Sequence, residues 1–268
     1  MSNAKETARF KEINKAFLSP HSKIVLIASH RGIHHEFPEN SMAAFKKAIE
    51  LGIDIIEIDV RHTQDDSLVI MHDATVDRMT NGKGRVDEFT FSALRKLRLT
   101  FNGQVTEEKI PTLEEVLTLA KGKILVDLDI KTNCLPRVMQ LVQQTQTENT
   151  CFFFLSKDFH DKMLKEKNPE LRTLVRTRSE ADVDALFSVT KTEAVHIDEK
   201  HNIEAVTNKI RNNGARVWIN ALGEVDKKAA AGDLEAYGEL IKNGANMIQT
   251  DYPALLLKYL KSKGLYYN

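Results

Sequence analysis

Short apolar runs alternate with amphipathic stretches along most of the chain. The runs are rich in branched residues and have the length of buried strands, whereas the stretches between them repeat apolar residues at helical spacing. The predicted strands are 24–29, 53–60, 124–130, 151–155, 173–176, 194–197, 216–220 and 246–250. Eight strands, each followed by a helix, predict a (β/α)8 TIM barrel of the α/β class. An open doubly wound sheet is the alternative, but no G-x-G-x-x-G loop follows the first strand.

The connection after the second strand is predicted to be a hairpin turn rather than a helical crossover. Too few residues separate Asp59 from Leu68 for a helix, and 64–67 is turn-like, so 68–71 is predicted to pair antiparallel as a hairpin. Residues of about 75–110 then form a small inserted subdomain of a single barrel domain, 24–263. The predicted helices include 41–51, with Asn40 as its N-cap and Gly52 at its end, and 135–147, 158–167, 179–187, 202–212, 234–243 and 253–262.

The composition allows a large core and argues against several classes of protein. Apolar residues make up 42% of the chain, and 38 basic side chains balance 38 acidic ones, so no overall field favours nucleic acid or a membrane surface. The sequence has no apolar run long enough for a transmembrane helix. Cys134 and Cys151 form neither a disulfide framework nor a metal-site spacing.

Residues 1–23 are charged and weakly helical, which predicts a peripheral N-terminal arm. The opening, Met1 to Ala4, resembles an expression scar. Such a start is compatible with a trimmed leader, so we expect a periplasmic or secreted location somewhat more than a cytoplasmic one.

Catalytic residue types follow or interrupt the first apolar runs. His30 and Arg31 follow the first strand, Glu57 and Asp59 lie within the second, and His72 follows the hairpin return. Residues two apart on a strand point to the same face, and two buried like charges without a cation each cost several kcal/mol. A hard metal ion is the economical explanation, and carboxylates without cysteine favour Mg²⁺ or Ca²⁺.

In a barrel, polar residues at the carboxyl ends of the strands converge on one face. The residues that would meet there are His30, Arg31, Glu57, Asp59, Asp129, Lys131, Arg176, Asp198, Trp218, Asn220 and Asp251. The acids suit a hard cation, the histidines suit proton transfer, and Arg31 and Lys131 suit a phosphate. Together they indicate phosphoester chemistry.

Several short motifs, in order along the chain, resemble the glycerophosphodiester phosphodiesterase family. They are His30-Arg31-Gly32, Pro38-Glu39-Asn40-Ser41, Glu57-Ile58-Asp59-Val60, His72-Asp73, Asp77-Arg78-Met79-Thr80-Asn81-Gly82, Ile110-Pro111-Thr112-Leu113-Glu114-Glu115, Val217-Trp218-Ile219-Asn220 and Thr250-Asp251-Tyr252-Pro253. The resemblance implies a TIM barrel that hydrolyses a small glycerophosphodiester to glycerol 3-phosphate and an alcohol.

The same resemblance implies roles for individual residues. His30 and His72 would be the catalytic acid/base pair, and Arg31 and Lys131 would hold the phosphate. Trp218 would wall the alcohol side of the pocket. The implied ligands of one divalent cation, Mg²⁺ or Ca²⁺, are Glu57, Asp59 and Asp129.

One position departs from the family pattern. The family has Glu-x-Lys where this chain has Asp129-Ile130-Lys131, and Asp127 lies on the same face as a competing ligand.

We expect His34 and His35, in the loop after the first strand, to face solvent. The alternatives are a lipid-cleaving phosphodiesterase of the same superfamily, which polar loops at the mouth argue against, and a non-catalytic barrel that binds phosphodiesters.

Overall fold

Eight parallel strands form a closed barrel, as the sequence predicts. The computed structural model describes residues 6–155 and 164–267. Its strands are Leu26–His30 (β1), Ile55–His62 (β2), Leu68–Ile70 (β3), Thr100–Phe101 (β4), Gln104–Val105 (β5), Leu125–Ile130 (β6), Cys151–Leu155 (β7), Arg172–Arg176 (β8), Ala194–His196 (β9), Arg216–Asn220 (β10) and Met247–Thr250 (β11). The barrel order is β1-β11-β10-β9-β8-β7-β6-β2, and β2 pairs with β1 to close it.

Helices cover the outside of the barrel, with one more at its amino-terminal end and one in the inserted subdomain. They are Ala8–Phe17 (α1), Met42–Glu50 (α2), Phe91–Leu94 (α3), Leu113–Ala120 (α4), Leu135–Thr145 (α5), Glu180–Val189 (α6), Glu204–Asn212 (α7), Glu224–Ala230 (α8), Ala236–Ile241 (α9) and Pro253–Ser262 (α10). Residues 164–167 are also helical, and the rest of the helix predicted at 158–167 lies outside the described residues. The sequence did not predict α8.

The strands are buried on both faces. Side chains such as Ile27 and Ile56 pack outward against the helices, whereas their neighbours Leu26, Ala28 and Ile55 pack inside the barrel. This alternation explains why the strands appear in the sequence as continuous apolar runs. Within residues 6–155 and 164–267, no helix is long and apolar enough to cross a membrane.

The hairpin return is confirmed. β3 pairs antiparallel with the end of β2, with Val60 opposite Ile70. The residues that follow form a small layer with its own apolar cluster, which includes Val76, Val86 and Leu94. The return brings His72 back to the carboxyl end of β2, because the backbone N–H of Met71 donates to the carbonyl of Asp59.

The prediction of a peripheral arm is wrong for the residues of α1. The side chain of Thr7 caps this helix, and Phe10, Ile13 and Phe17 are fully buried. They pack against inward-facing residues at the amino-terminal end of the barrel, including Leu125. Apolar positions three and four apart give α1 the stripe that this end of the barrel requires.

The predicted N-cap of α2 is also wrong by one residue. Ser41 is the N-cap, and its hydroxyl accepts from the N–H of Ala44. Asn40 instead takes a left-handed conformation, with φ of 56°, and its side-chain amide donates to Asp59 inside the barrel. Asparagine tolerates this conformation better than most residues, so it can turn the chain into the helix. Gly52 follows the helix with φ of 74°, as predicted.

Candidate active site

The predicted site residues meet at the carboxyl ends of the strands. His30, Arg31, Glu57, Asp59, His72, Asp129, Lys131 and Trp218 all line one pocket of about 180 Å³. Arg176 and Asn220 line it as well. Ligand sites of TIM barrels lie at this end of the fold.

Three carboxylates form an acidic group on one side of the pocket. Glu57, Asp59 and Asp129 each offer an oxygen, and these oxygens lie within 4.8 Å of one another. The group forms because β2 and β6 are adjacent and Asp59 lies in register with Asp129. Burial, together with the negative charge of Asp59, raises the pKa of Glu57 well above its ordinary value. A divalent cation would relieve this repulsion, so the group fits a hard metal ion.

Asp127 lies beside this acidic group but outside it. It is in register with Glu57, is 3% exposed and lines the same pocket. Its Oδ1 atom is buried and accepts no hydrogen bond from the described residues. Burial raises its pKa well above the ordinary value, and the charge of Asp129 adds to the effect. The oxygens that lie together are those of Glu57, Asp59 and Asp129, and the ranking of Asp129 above Asp127 as a metal ligand stays a prediction.

Two cations face the acidic group. The Nζ atom of Lys131 lies 2.6 Å from Oδ2 of Asp129 and 3.0 Å from Oδ1 of Asp59. Burial alone would lower the pKa of Lys131, but the charges of Asp59 and Asp129 raise it above its ordinary value. Arg31 places its Nε atom 3.3 Å from Oδ2 of Asp59. Both side chains therefore lie at the cavity, paired with the acids.

His30 is oriented by a carboxylate on the neighbouring strand of the barrel. Its Nδ1 atom lies 2.7 Å from Oδ1 of Asp251, at the end of β11. Burial works to raise the pKa of Asp251, but the hydrogen bond with His30 and the charges of His30, His34 and His35 together outweigh it, so the pKa lies below its ordinary value. The Nε2 atom of His30 lies 4.0 Å from Oε2 of Glu57. An ionised Asp251 thus binds one ring nitrogen and leaves the other toward the acids.

His72 has the same arrangement with a different carboxylate. Its Nδ1 atom lies 2.7 Å from Oδ1 of Asp73, and Arg78 donates to Oδ2 of Asp73 at 2.6 Å. The hydrogen bond from Arg78 is the main reason why the pKa of Asp73 lies far below its ordinary value. Arg78 also binds both oxygens of Glu39, which in turn accepts from Arg31 at 3.1 Å. A chain of ion pairs therefore connects His72 with Arg31 through the inserted layer.

The comparison with protein families decides the identity of this barrel. The model of the Glycerophosphoryl diester phosphodiesterase family matches residues 30–237. The chain belongs to the glycerophosphodiester phosphodiesterase family. It is an enzyme of the phosphoric diester hydrolase class, as the motifs predict.

Individual relatives agree with this family. The chain is 31% identical over 252 residues to the glycerophosphodiester phosphodiesterase of Caldanaerobacter subterraneus, a match covering 89% of this chain and 99% of the relative. A crystal structure of a glycerophosphoryl diester phosphodiesterase from Parabacteroides distasonis superimposes with a TM-score of 0.84 at 25% identity, over 97% of this chain and 94% of that one. A phosphodiesterase of Oleispira antarctica, solved with the product sn-glycerol-3-phosphate, shares the fold with a TM-score of 0.74 at 20% identity, over 92% and 99% of the two chains.

Several residues of this family member contribute more than the sequence analysis assigned to them. Asn40 donates to Oδ2 of Asp59 at 2.7 Å, and Asp251 and Glu39 hold charged partners as described above. All three belong to the motifs that resemble the family, so the motifs were the available signal. Their partners are distant along the chain, and only the closed barrel shows which pairs meet.

The prediction that His34 faces solvent is wrong. The Nδ1 atom of His34 lies 2.8 Å from the carbonyl oxygen of His30, and its Nε2 atom lies 3.5 Å from Oδ1 of Asp251. His34 therefore packs behind His30. His35 is exposed, as predicted, and stacks on Tyr252 with ring centroids 4.1 Å apart.

Proposed function

We propose that this chain hydrolyses glycerophosphodiesters to glycerol 3-phosphate and an alcohol, with a divalent cation and with His30 and His72 as the acid/base pair. The observation that carries the proposal is the pairing of each histidine with a carboxylate at the edge of one pocket. The same pocket holds three carboxylates within 4.8 Å of one another and two cations. The names of the relatives supply the substrate class.

The donor set supports a hard divalent ion. Glu57, Asp59 and Asp129 offer carboxylate oxygens alone, which is the chemistry that Mg²⁺ and Ca²⁺ prefer. When bound, such an ion would stabilise negative charge on the phosphate and lower the pKa of a hydroxyl group beside it. Lys131 and Arg31 face the same cavity and are the cations available to bind phosphate oxygens.

The histidine pairs define which nitrogen can move a proton. In each pair a carboxylate accepts from Nδ1–H, so Nε2 is the free nitrogen of the neutral ring. One Nε2 takes the proton of the attacking hydroxyl as its oxygen bonds to phosphorus. The other Nε2, protonated beforehand, gives its proton to the alcohol oxygen as the bond from that oxygen to phosphorus breaks.

Two routes use these same groups. The attacking hydroxyl belongs either to the glycerol carbon next to the ester, which gives a cyclic phosphate that water then opens, or to water itself. The family resemblance favours the first route. In the first route the two histidines exchange roles in the second step: the one that protonated the alcohol takes a proton from water, and the other returns its proton to the glycerol oxygen as the bond from that oxygen to phosphorus breaks. In the direct route each histidine acts once.

The experiment measures release of glycerol 3-phosphate from glycerophosphocholine and glycerophosphoethanolamine. Each substrate is assayed in EDTA and after Mg²⁺ or Ca²⁺ is restored separately, with wild type, His72→Ala and His62→Ala. His62 ends β2 outside the pocket and is the matched control. We expect metal-dependent release that His72→Ala abolishes and His62→Ala retains. Release in EDTA would contradict the metal, and no release by the folded wild type with any metal would contradict the substrate class.

A further inference from the structure

The wall of the pocket opposite the acidic group contains a histidine that the proposed mechanism does not use. His196 is the last residue of β9. In the closed barrel, β10 and β11 separate β9 from β1, and β8, β7 and β6 separate it from β2. His196 therefore faces Glu57 and Asp59 from the far side. Its side chain is 4% exposed and lines the same pocket.

The imidazole of His196 lies beside two aromatic rings and an ion pair, and one of its nitrogens has no partner in the part of the chain that the structure describes. Its Nδ1 atom is buried and has no hydrogen-bond partner among residues 6–155 and 164–267. Its closest ring neighbours are Phe154 and Trp218, with centroids at 5.7 and 6.3 Å. The nearby Arg176 is already paired with Asp198. A buried nitrogen without a partner destabilises the fold, so a bound ligand is the economical explanation for it.

The environment of His196 selects the chemical class of that ligand. Burial, helped by the positive charge of Arg176, lowers the pKa of His196 to about 3. The ring is therefore neutral and has one nitrogen that donates and one that accepts. A neutral ring suits a hydroxyl group, which also both donates and accepts, better than a phosphate or an ammonium group.

The position of His196 selects the part of the substrate. The reacting phosphate belongs near Lys131, Arg31 and the two catalytic histidines, on the other side of the pocket. A pocket of about 180 Å³ is small, and the part of the substrate that turns toward its buried wall must be short and polar. The glycerol part meets this requirement and is common to all glycerophosphodiesters, whereas the variable alcohol needs the open mouth.

We propose that His196 binds the terminal hydroxyl of the glycerol part of the substrate, the one that is not adjacent to the phosphoester. The inference rests on the proposed function. It makes His196 a residue that distinguishes glycerol from shorter or less hydroxylated polyols, with no share in proton transfer.

The test compares two substrates and two variants. Glycerophosphocholine carries the terminal hydroxyl, and 2-hydroxypropyl phosphocholine has a hydrogen in its place but keeps the hydroxyl next to the ester. His196→Phe removes the ring nitrogens and keeps an aromatic ring beside Phe154 and Trp218, whereas His196→Asn retains a polar group near the position of Nδ1. Thermal unfolding of each variant is measured alongside.

We expect wild type to favour glycerophosphocholine over the analogue in kcat/KM. His196→Phe should lower kcat/KM for glycerophosphocholine about 10-fold to 100-fold, the usual effect of losing a buried hydrogen bond, and leave the analogue unchanged. His196→Asn should recover part of the loss. The pH profile of kcat should keep its shape in both variants, because a positioning contact does not move a proton.

Equal losses on both substrates would overturn the inference, because they would mean that His196 only supports the fold or holds a water molecule. Full activity of His196→Phe on glycerophosphocholine would overturn it as well. Calorimetric binding of glycerol 3-phosphate and of 2-hydroxypropyl phosphate gives the same comparison without turnover. If wild type hydrolyses neither diester yet still prefers glycerol 3-phosphate through His196, the proposed function fails and the inference stands.

Discussion

The two ends of the barrel contain buried charges that are treated in opposite ways. At the amino-terminal end, Arg216 is fully buried and its two terminal nitrogens donate to four backbone carbonyls, those of Ala16, Ser19, Ile24 and Asn246. These bonds tie the end of α1 and the segment after it to the strands. The two terminal nitrogens are thus satisfied by the chain itself, whereas the Nε atom has no partner among the described residues.

Asp54, also at this end, has partners from the chain for both of its oxygens. It accepts from Arg9 at 2.6 Å, from the hydroxyl of Tyr266 at 3.0 Å and from the backbone N–H of Ile27 at 2.9 Å. At the carboxyl-terminal end, by contrast, Asp127 has a buried oxygen with no partner in the described chain. The comparison is sharpest for the two carboxylates: Asp54 is completed by the chain and serves stability, whereas Asp127 is left open beside the pocket, where a ligand can bind.

The largest effect that we expect is a loss of activity from changes at the carboxyl-terminal end of the barrel. His30→Ala and His72→Ala should each lower kcat for glycerophosphocholine by about 100-fold to 10,000-fold, the usual contribution of acid/base catalysis. Neither variant should lower the thermal unfolding temperature appreciably, because neither side chain belongs to the apolar core. Steady-state kinetics and thermal unfolding are measured on the same preparations. A variant that loses stability in proportion to activity would show that the carboxyl-terminal end also serves stability, contrary to the contrast between the two ends.

A change at the amino-terminal end of the barrel should have the reverse effect, a loss of stability without a loss of activity. Phe10→Ala removes a fully buried ring from α1 and should lower the free energy of unfolding by about 3–5 kcal/mol. The activity of the folded protein should stay close to that of wild type, since α1 lies at the opposite end from the pocket. Denaturant unfolding gives the first quantity and kcat at low temperature gives the second. An unchanged midpoint would show that α1 does not close the barrel.

A smaller effect should follow from breaking the chain of ion pairs that leads to His72. Arg78→Met removes the partner of Asp73 and Glu39 and should lower kcat about 10-fold, the value of a charge-assisted hydrogen bond. Arg85→Met is the matched control, because Arg85 lies in the same inserted layer and pairs with the exposed Asp87. Equal activity of the two variants would show that this chain of ion pairs does not position His72.

The smallest expected effect is the absence of a reaction. Cys151 begins β7 and is 1% exposed, and burial raises the pKa of its thiol to about 12. A raised pKa keeps the thiol protonated at pH 8, and the thiolate is the form that reacts. Iodoacetamide should therefore leave Cys151 unmodified in the native protein and modify it after unfolding, as measured by mass spectrometry. Rapid labelling of the native protein would show that the amino-terminal end of the barrel opens to solvent.

The strands and the convergence of the site could be predicted because each depends on local sequence. Apolar runs such as 151–155 and 216–220 became strands with the same bounds, and the short connection after Asp59 indicated the hairpin. Once the strands close into a barrel, the polar residues at their carboxyl ends must meet. The acidic group therefore followed from the positions of its members on two neighbouring strands.

The remaining features depend on contacts between distant residues. α8 was missed because it has almost no apolar face, and its buried Asp226 accepts from the hydroxyls of Tyr237 and Thr250 and from the N–H of Asp251. Asn40 was predicted to be the helix cap because asparagine is common at that position, and its hydrogen bond to Asp59 cannot be read from the sequence. Such polar pairs carry no periodicity, so only the folded chain reveals them.

The proposed function requires that the acidic group at the carboxyl-terminal end of the barrel hold one divalent cation. Calorimetric titration of Mg²⁺ and of Ca²⁺ into protein stripped with EDTA tests it directly, with Asp129→Asn as the variant and Asp87→Asn as the control, since Asp87 is exposed in the inserted layer. The account predicts one ion per chain for wild type and for Asp87→Asn, and greatly weakened binding for Asp129→Asn. Binding that is absent in the folded wild type, or equal in all three proteins, would contradict it.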